Sequence, residues 1–237
     1  MAKETVKKHS EFEELVENPD ALADRLTHSE DFVKKNKTKL LGVFAAIAAI
    51  VVAGFLWYNY KSSRNVEAQN AMFQAVYYFE ADSLNKALNG DGQYQGLLAI
   101  ADEYSGTDAG NLANFYAGVA LLKEGKFAEA QSRLEEFSSD DYLLQARAYS
   151  LTGDALLEQG KSKEAADMYM KAANHNANEY FSPQYLMKAG IAYESDNNFS
   201  AAAQAYDKII TDFAASTEVA EAKKYKARAE ALAGGNN

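Results

Sequence analysis

Hydrophobic and polar positions divide this chain sharply. From Leu40 to Tyr60 the run LLGVFAAIAAIVVAGFLWYNY carries no charge and lies between Lys39 and Lys61. At roughly 1.5 Å per helical residue it reaches about 31 Å, close to the ~30 Å hydrocarbon core of a bilayer. Its one amide, Asn59, sits at the end beside Trp57, Tyr58 and Tyr60, residue types expected at a membrane interface. A soluble core helix rarely continues for about six turns without a polar stripe. The run therefore predicts a transmembrane helix over 39–60. A secretory signal has a short basic start, an apolar run of about 7–15 residues and a small-residue cleavage site. Here 39 residues precede the run and bulky Phe55-Leu56-Trp57-Tyr58 ends it, so the expectation is an uncleaved anchor. Arg25, Lys34, Lys35, Lys37 and Lys39 lie before the span, against Lys61 and Arg64 after it. The positive-inside rule predicts a cytoplasmic N-terminus and an exported 61–237.

After Tyr60 the pattern changes to helical amphipathicity. Ala68, Ala71, Met72, Ala75, Val76 and Phe79 recur at spacings of three and four, which predicts a helix running on from the span until Asp82. Asn89-Gly90-Asp91-Gly92 reads as a loop, and a second helix is expected over roughly 94–104. The chain then repeats itself. Gly118-Val-Ala120, Gly153-Asp-Ala155 and Gly190-Ile-Ala192 are each followed by a bulky residue, Leu121, Leu156 and Tyr193. Turns follow at Glu124-Gly125-Lys126-Phe127, Gln159-Gly160-Lys161-Ser162 and Asn197-Asn198-Phe199. Next come a small residue (Ala130, Ala165, Ala202) and, four later, a large one (Leu134, Tyr169, Tyr206). The period is 35 and then 37 residues.

This order resembles the tetratricopeptide repeat, whose period is about 34 residues. Its small residues let two antiparallel helices approach closely, and its large ones fill the gaps between pairs. The resemblance covers about 111–217, three repeats, with 61–110 a helical extension and divergent first unit. Departures from the consensus are Asn114, Tyr149 and Leu186 in place of its Trp, and the absence of its helix-ending Pro. A final helix, 217–232, reads as the cap a repeat stack needs, so that 218–237 is capping helix and tail. The expected fold is all-α: one transmembrane helix followed by a tetratricopeptide-like α-solenoid.

Residues 1–38 predict a short, polar, helical cytoplasmic segment. Ser10 and Glu13 match a capping box, Pro19 suits a first helical position, and Ser29 reads as the start of the helix entering the membrane.

Charge narrows the function classes. The formal net charge is −10, of which 61–237 carry 16 basic and 25 acidic side chains, a net of −9. An acidic domain of this kind is a poor fit to nucleic acid, which needs clustered Lys and Arg. Without cysteine the chain has no disulfide or thiolate chemistry. The histidines are His9, His28 and His175, with the predicted membrane between the first two and the third, so no His pair or triad forms in the exported part. Neither a phosphate-binding nor a dinucleotide-binding glycine motif is present, and the expectation is a non-enzyme without cofactors or metals.

What remains is a binding surface. In a tetratricopeptide stack the first helix of each pair lines the concave face. Register places Phe115, Val119 and Leu122, then Arg147, Asp154 and Leu157, then Met187, Ile191 and Glu194 there. Such a face is apolar at both ends and polar in the middle, suited to a peptide with hydrophobic anchors, unless the chain's own helices fill it. Gly42, Ala46, Ala49 and Ala53 offer a small-residue face on the span for another membrane helix. Lys223, Lys224, Lys226 and Arg228 form a basic cluster on the last helix.

The whole plan resembles the YfgM family, ancillary subunits of the bacterial SecYEG translocon. The likeness lies in Phe32-Val33-Lys-Lys-Asn36-Lys before a Gly- and Ala-containing span, Trp57-Tyr58-Asn59-Tyr60 at its end, and Ala68, Ala71, Met72 and Phe73 in the following helix. The resemblance implies an inner-membrane adaptor with a periplasmic C-terminal domain. Its implied partners are the translocon, a PpiD-like chaperone and newly exported polypeptides. The longer cytoplasmic lead departs from that plan. An assembly scaffold for another envelope complex is the alternative.

Overall fold

The structure, a computed structural model, describes residues 19–235. The capping box at Ser10 and Glu13 lies outside the described residues. The chain divides into two compact units, Met1–Tyr60 and Lys61–Asn237.

Among the described residues every regular element is a helix, beginning with α1 (Pro19–Glu80). Pro19 takes the first helical position, where its missing N–H costs no hydrogen bond. The helix continues without a break through Ser29, which therefore starts nothing. The flanking stretches favour helix strongly enough that a lone Ser is absorbed in mid-helix. Within the first unit, Leu41, Val43, Phe44, Ile47, Ile50, Val51, Val52, Phe55, Leu56 and Trp57 are each more than half exposed. A soluble core helix of this composition would bury them. This stretch is long and apolar enough to cross a membrane.

The second unit begins within α1 and continues as α2 (Leu84–Asn89), α3 (Leu97–Glu103), α4 (Asp108–Lys123), α5 (Phe127–Glu136), α6 (Tyr142–Glu158), α7 (Ser162–Asn174), α8 (Ser182–Ser195), α9 (Phe199–Asp212) and α10 (Val219–Gly235). Consecutive helices pack on one another from α4 to α10. The pairs α4/α5, α6/α7 and α8/α9 follow the period of the sequence. The helix expected over 94–104 is shorter, α3, and α2 precedes it unannounced. Gly96 lies against the Leu88 carbonyl too closely for any Cβ, and this contact folds the intervening loop back on α2.

Each pair reverses through the same backbone device. Gly125, Gly160 and Asn197 adopt the left-handed conformation, at φ 75°, 76° and 57°. Lys126, Lys161 and Asn198 then donate their N–H to the carbonyls of Leu121, Leu156 and Tyr193. The left-handed residues themselves bond Leu122, Leu157 and Glu194. This double bond pattern is the Schellman motif, and glycine or asparagine holds its strained position at least cost. Asp82 and Ser83 make the same turn at the end of α1, with Asp82 at φ 54° and bonds to Phe79 and Tyr78.

Close approach explains the small residues. A Cβ built on Gly118 would meet Leu134 Cγ at 2.6 Å, on Gly153 Tyr169 Cε1 at 2.7 Å, and on Gly190 Tyr206 Cε1 at 2.2 Å. Ala130, Ala165 and Ala202 are fully buried, as are Tyr169 and Tyr206 within 1 %. The core is a chain of linked clusters along the stack rather than one central mass, as expected where each repeat touches only its neighbours.

Candidate protein-binding surface

The first helices of the pairs, α4, α6 and α8, carry the residues that register assigns to the concave face, and these differ widely in availability. Phe115 is buried, its ring 5.1 Å from that of Phe137 within a cluster that includes Leu134 and Ala148. Met187 is buried among Leu186, Phe213 and Ala222. Val119, Leu122 and Leu157 are half-buried at the edges of the core. Arg147 is exposed, and Ile191 is 43 % exposed.

The two acids of the set are already engaged. Asp154 on α6 accepts the hydroxyl of Tyr169 at 2.6 Å, and its two carboxylate oxygens accept from Lys188 Nζ of α8 at 2.9 and 3.0 Å. Lys188 also lies over the Tyr169 ring, 5.4 Å from its centroid. Burial, reinforced by the Asp154 hydrogen bond, drives the Tyr169 hydroxyl far above its ordinary titration range. Glu194, its side chain 15 % exposed, is paired with Arg228 of α10. Burial followed by the nearby Glu194 charge likewise raises Tyr206. The C-terminal helix thus closes one end of this face. Its basic cluster divides accordingly: Lys226 pairs with Asp207 and Glu230, and Arg228 with Glu194, while Lys223 and Lys224 face outward.

Among the described residues, two clefts with largely apolar linings open along the first helices. One, of about 330 Å³, is lined by Leu143, Leu144, Arg147, Phe181 and Tyr185. Asp141 borders it, but that carboxylate accepts the N–H groups of Leu143 and Leu144 as the N-cap of α6, leaving Arg147 as the cation of the cleft. The second, of about 540 Å³, lies between α1 and α4 and is floored by Met72, Val76, Ala109 and Leu112. Phe73 and Tyr77 stand at its wall, 78 % and 58 % exposed. Register counted from the three clear repeats does not reach these two residues. The signal that finds them is the turn at Asp82, which sets the register of the preceding helix. The small residues of the span, Gly42, Ala46, Ala49 and Ala53, are exposed, and a Cβ on Gly42 would meet nothing.

Both clefts accept apolar side chains. Neither brings together a nucleophile and a base, and among the described residues no cluster of three or more metal-ligating side chains occurs.

A tetratricopeptide repeat family model matches residues 117–179. That interval runs from the close-packed Gly118 through α7, where the small and large positions of two successive repeats interlock. A search of curated proteins returns no match. The protein is an all-helical chain with one long apolar N-terminal helix and a tetratricopeptide-like helical repeat region, a fold that characterises protein-interaction scaffolds.

Proposed function

We propose that this chain is a membrane-anchored adaptor accessory to a Sec-type translocon, its repeats exported to the periplasm and its N-terminus cytoplasmic. In this reading the repeats bind a PpiD-like chaperone, newly exported polypeptides, or both. The observation that carries it is the joining, in one chain, of an exposed apolar helix of bilayer length to a repeat stack with open apolar clefts. The sequence resemblance to the YfgM family supports the choice of partner, and the excess of Lys and Arg before the span supports the orientation. Anchoring acts by raising the effective concentration of the repeats at the membrane, so weak individual contacts suffice.

Photo-crosslinkers at Ala46 and Ala49, and separately at Arg147 and Ile191, test this. Translocon subunits captured from the span, with a chaperone or exported chain captured from the repeats, are the expected result. Capture of cytochrome-maturation or surface-organelle subunits would favour the scaffold for another envelope complex instead.

A further inference from the structure

The stack is finished at one end and unfinished at the other. At its C-terminal end α10 covers α9 and turns Lys223, Lys224 and Glu230 to the outside. At its N-terminal end the outermost helix is the second-unit part of α1. Repeat register, counted back from the four matching turns, defines what that helix exposes. Ala120, Ala155 and Ala192 each lie five residues before the left-handed turn residue, and all three are fully buried. They cluster with residues of the preceding unit: Ala120 with Ala87 and Leu88, Ala155 with Ala120 and Leu121, Ala192 with Tyr169 and Ala165. The residue five before Asp82 is Tyr77, and the position of Tyr116, which packs on Phe79 of the unit before, is held by Phe73. Phe73 and Tyr77 therefore occupy inter-repeat positions that, among the described residues, no preceding repeat covers. Repeat stacks ordinarily place a polar capping element at such an end.

The groove these residues wall has a second property, its charge. Its rim carries Glu80 and Asp108, both exposed, and among the described residues neither is in an ion pair and no lysine or arginine lines the groove. Its volume of about 540 Å³ falls within the ~300–1,000 Å³ typical of binding sites. An apolar floor under two free carboxylates selects against anionic headgroups and acidic chains and for cations beside a large apolar side chain.

We propose that the groove between α1 and α4 binds a polypeptide segment in which Leu- or Phe-sized side chains are flanked by Lys or Arg. The apolar side chains cover Phe73, Tyr77 and Val76, in place of the missing repeat, and the cations meet Glu80 and Asp108. This rests on the adaptor reading and adds to it the chemistry of what the repeats hold.

The test uses the full chain in nanodiscs of neutral lipid, with a photo-crosslinker at position 73. Two labelled peptides are compared, alike in a central Leu-Phe pair and differing only in Lys or Glu flanks. Binding of the Lys peptide about tenfold tighter than the Glu peptide is expected, weakening with added salt. The double variant Glu80→Lys, Asp108→Lys reverses the order. Phe73→Ser with Tyr77→Ser lowers affinity for the Lys peptide about tenfold or more without changing the helical circular dichroism, since both side chains are exposed. Equal affinity for the two peptides, or crosslinks from position 73 to lipid or to a second copy of the chain in place of peptide, overturns the proposal. If translocon subunits still co-purify in that event, the adaptor reading stands and only this assignment falls.

Discussion

Tyr169 donates its hydroxyl hydrogen to Asp154 across 2.6 Å, tying the two helices of one repeat together at the level where Lys188 of the next repeat arrives. One carboxylate thus serves a bond within a repeat and a bond between repeats. The two bonds differ in weight. Lys188 and Asp154 are 45 % and 33 % exposed in their side chains, so water screens that pair and its loss costs at most about 1 kcal/mol. Tyr169 is buried, and losing its acceptor leaves a buried hydroxyl unpaired at about 1–3 kcal/mol. Chemical denaturation is expected to rank Asp154→Ala clearly below Lys188→Ala, with Tyr169→Phe between them. Equal losses for the first two would mean that the ion pair, not the hydroxyl, carries the coupling.

The close-packed glycines give a second ordering. Glycine inside a helix is worse than alanine by about 1 kcal/mol, so an uncrowded Gly→Ala change would stabilise. At Gly118, Gly153 and Gly190 the new Cβ meets a side chain at 2.6, 2.7 and 2.2 Å, and overpacking costs about 1–3 kcal/mol. Gly190→Ala is expected to be the most destabilising, because the Tyr206 ring is closest and fully buried. Thermal unfolding of the three variants checks this; a raised melting temperature for Gly190→Ala would contradict the packing described.

The turn residues respond differently. Gly160 sits at φ 76°, and nothing lies within 4 Å of an added Cβ. Its substitution therefore tests backbone conformation alone. Gly160→Ala is expected to cost about 1–2 kcal/mol, whereas Gly160→Asn costs less, as Asn197 already holds the equivalent position. Denaturant midpoints of the two variants separate them.

Alkaline pH tests the buried tyrosines. Burial, then the hydrogen bond to Asp167, pushes Tyr193 up to about 12 from its usual 10.0, and Tyr169 and Tyr206 are raised by burial as well. Unfolding lets these hydroxyls lose their protons near pH 10 while the folded chain retains them. Their contribution is complete below pH 10 and is lost as pH rises toward 12 and beyond. Stability should fall across that window, and near-ultraviolet tyrosinate absorbance should lag behind that of the unfolded chain. Tyr193→Phe should reduce the slope.

The repeat geometry was legible in the sequence because close packing admits few residues. Gly118, Gly153 and Gly190 face Leu134, Tyr169 and Tyr206, and neither side of those contacts can vary freely. The unit before them was harder to read. Ala75 replaces the close-packed glycine, and its second helix is split into α2 and α3 by the loop from Gly90 to Gly96, so only the turn at Asp82 preserves the register. Exposure along the candidate surface was legible where periodicity decides it, as at Arg147 and Ile191. It was not where distant chain decides it. Phe137, beyond the end of α5, covers Phe115, and Phe213 and α10 cover Met187 and pair Glu194, contacts that no local pattern encodes. Phe73 and Tyr77 were missed for a related reason. Their exposure follows from the absence, among the described residues, of a repeat before them in the stack, which only the assembled register reveals.

In the proposed function the span and the repeats act together at a translocon. Purification of the full chain from membranes in mild detergent, followed by identification of what accompanies it, tests that most directly. Recovery of the translocon subunits together with a membrane-anchored prolyl-isomerase-type chaperone is expected, with translocon recovery reduced when Ala46 and Ala49 are replaced by Leu. Recovery of the chain alone, or with a different envelope complex, would contradict the proposed function.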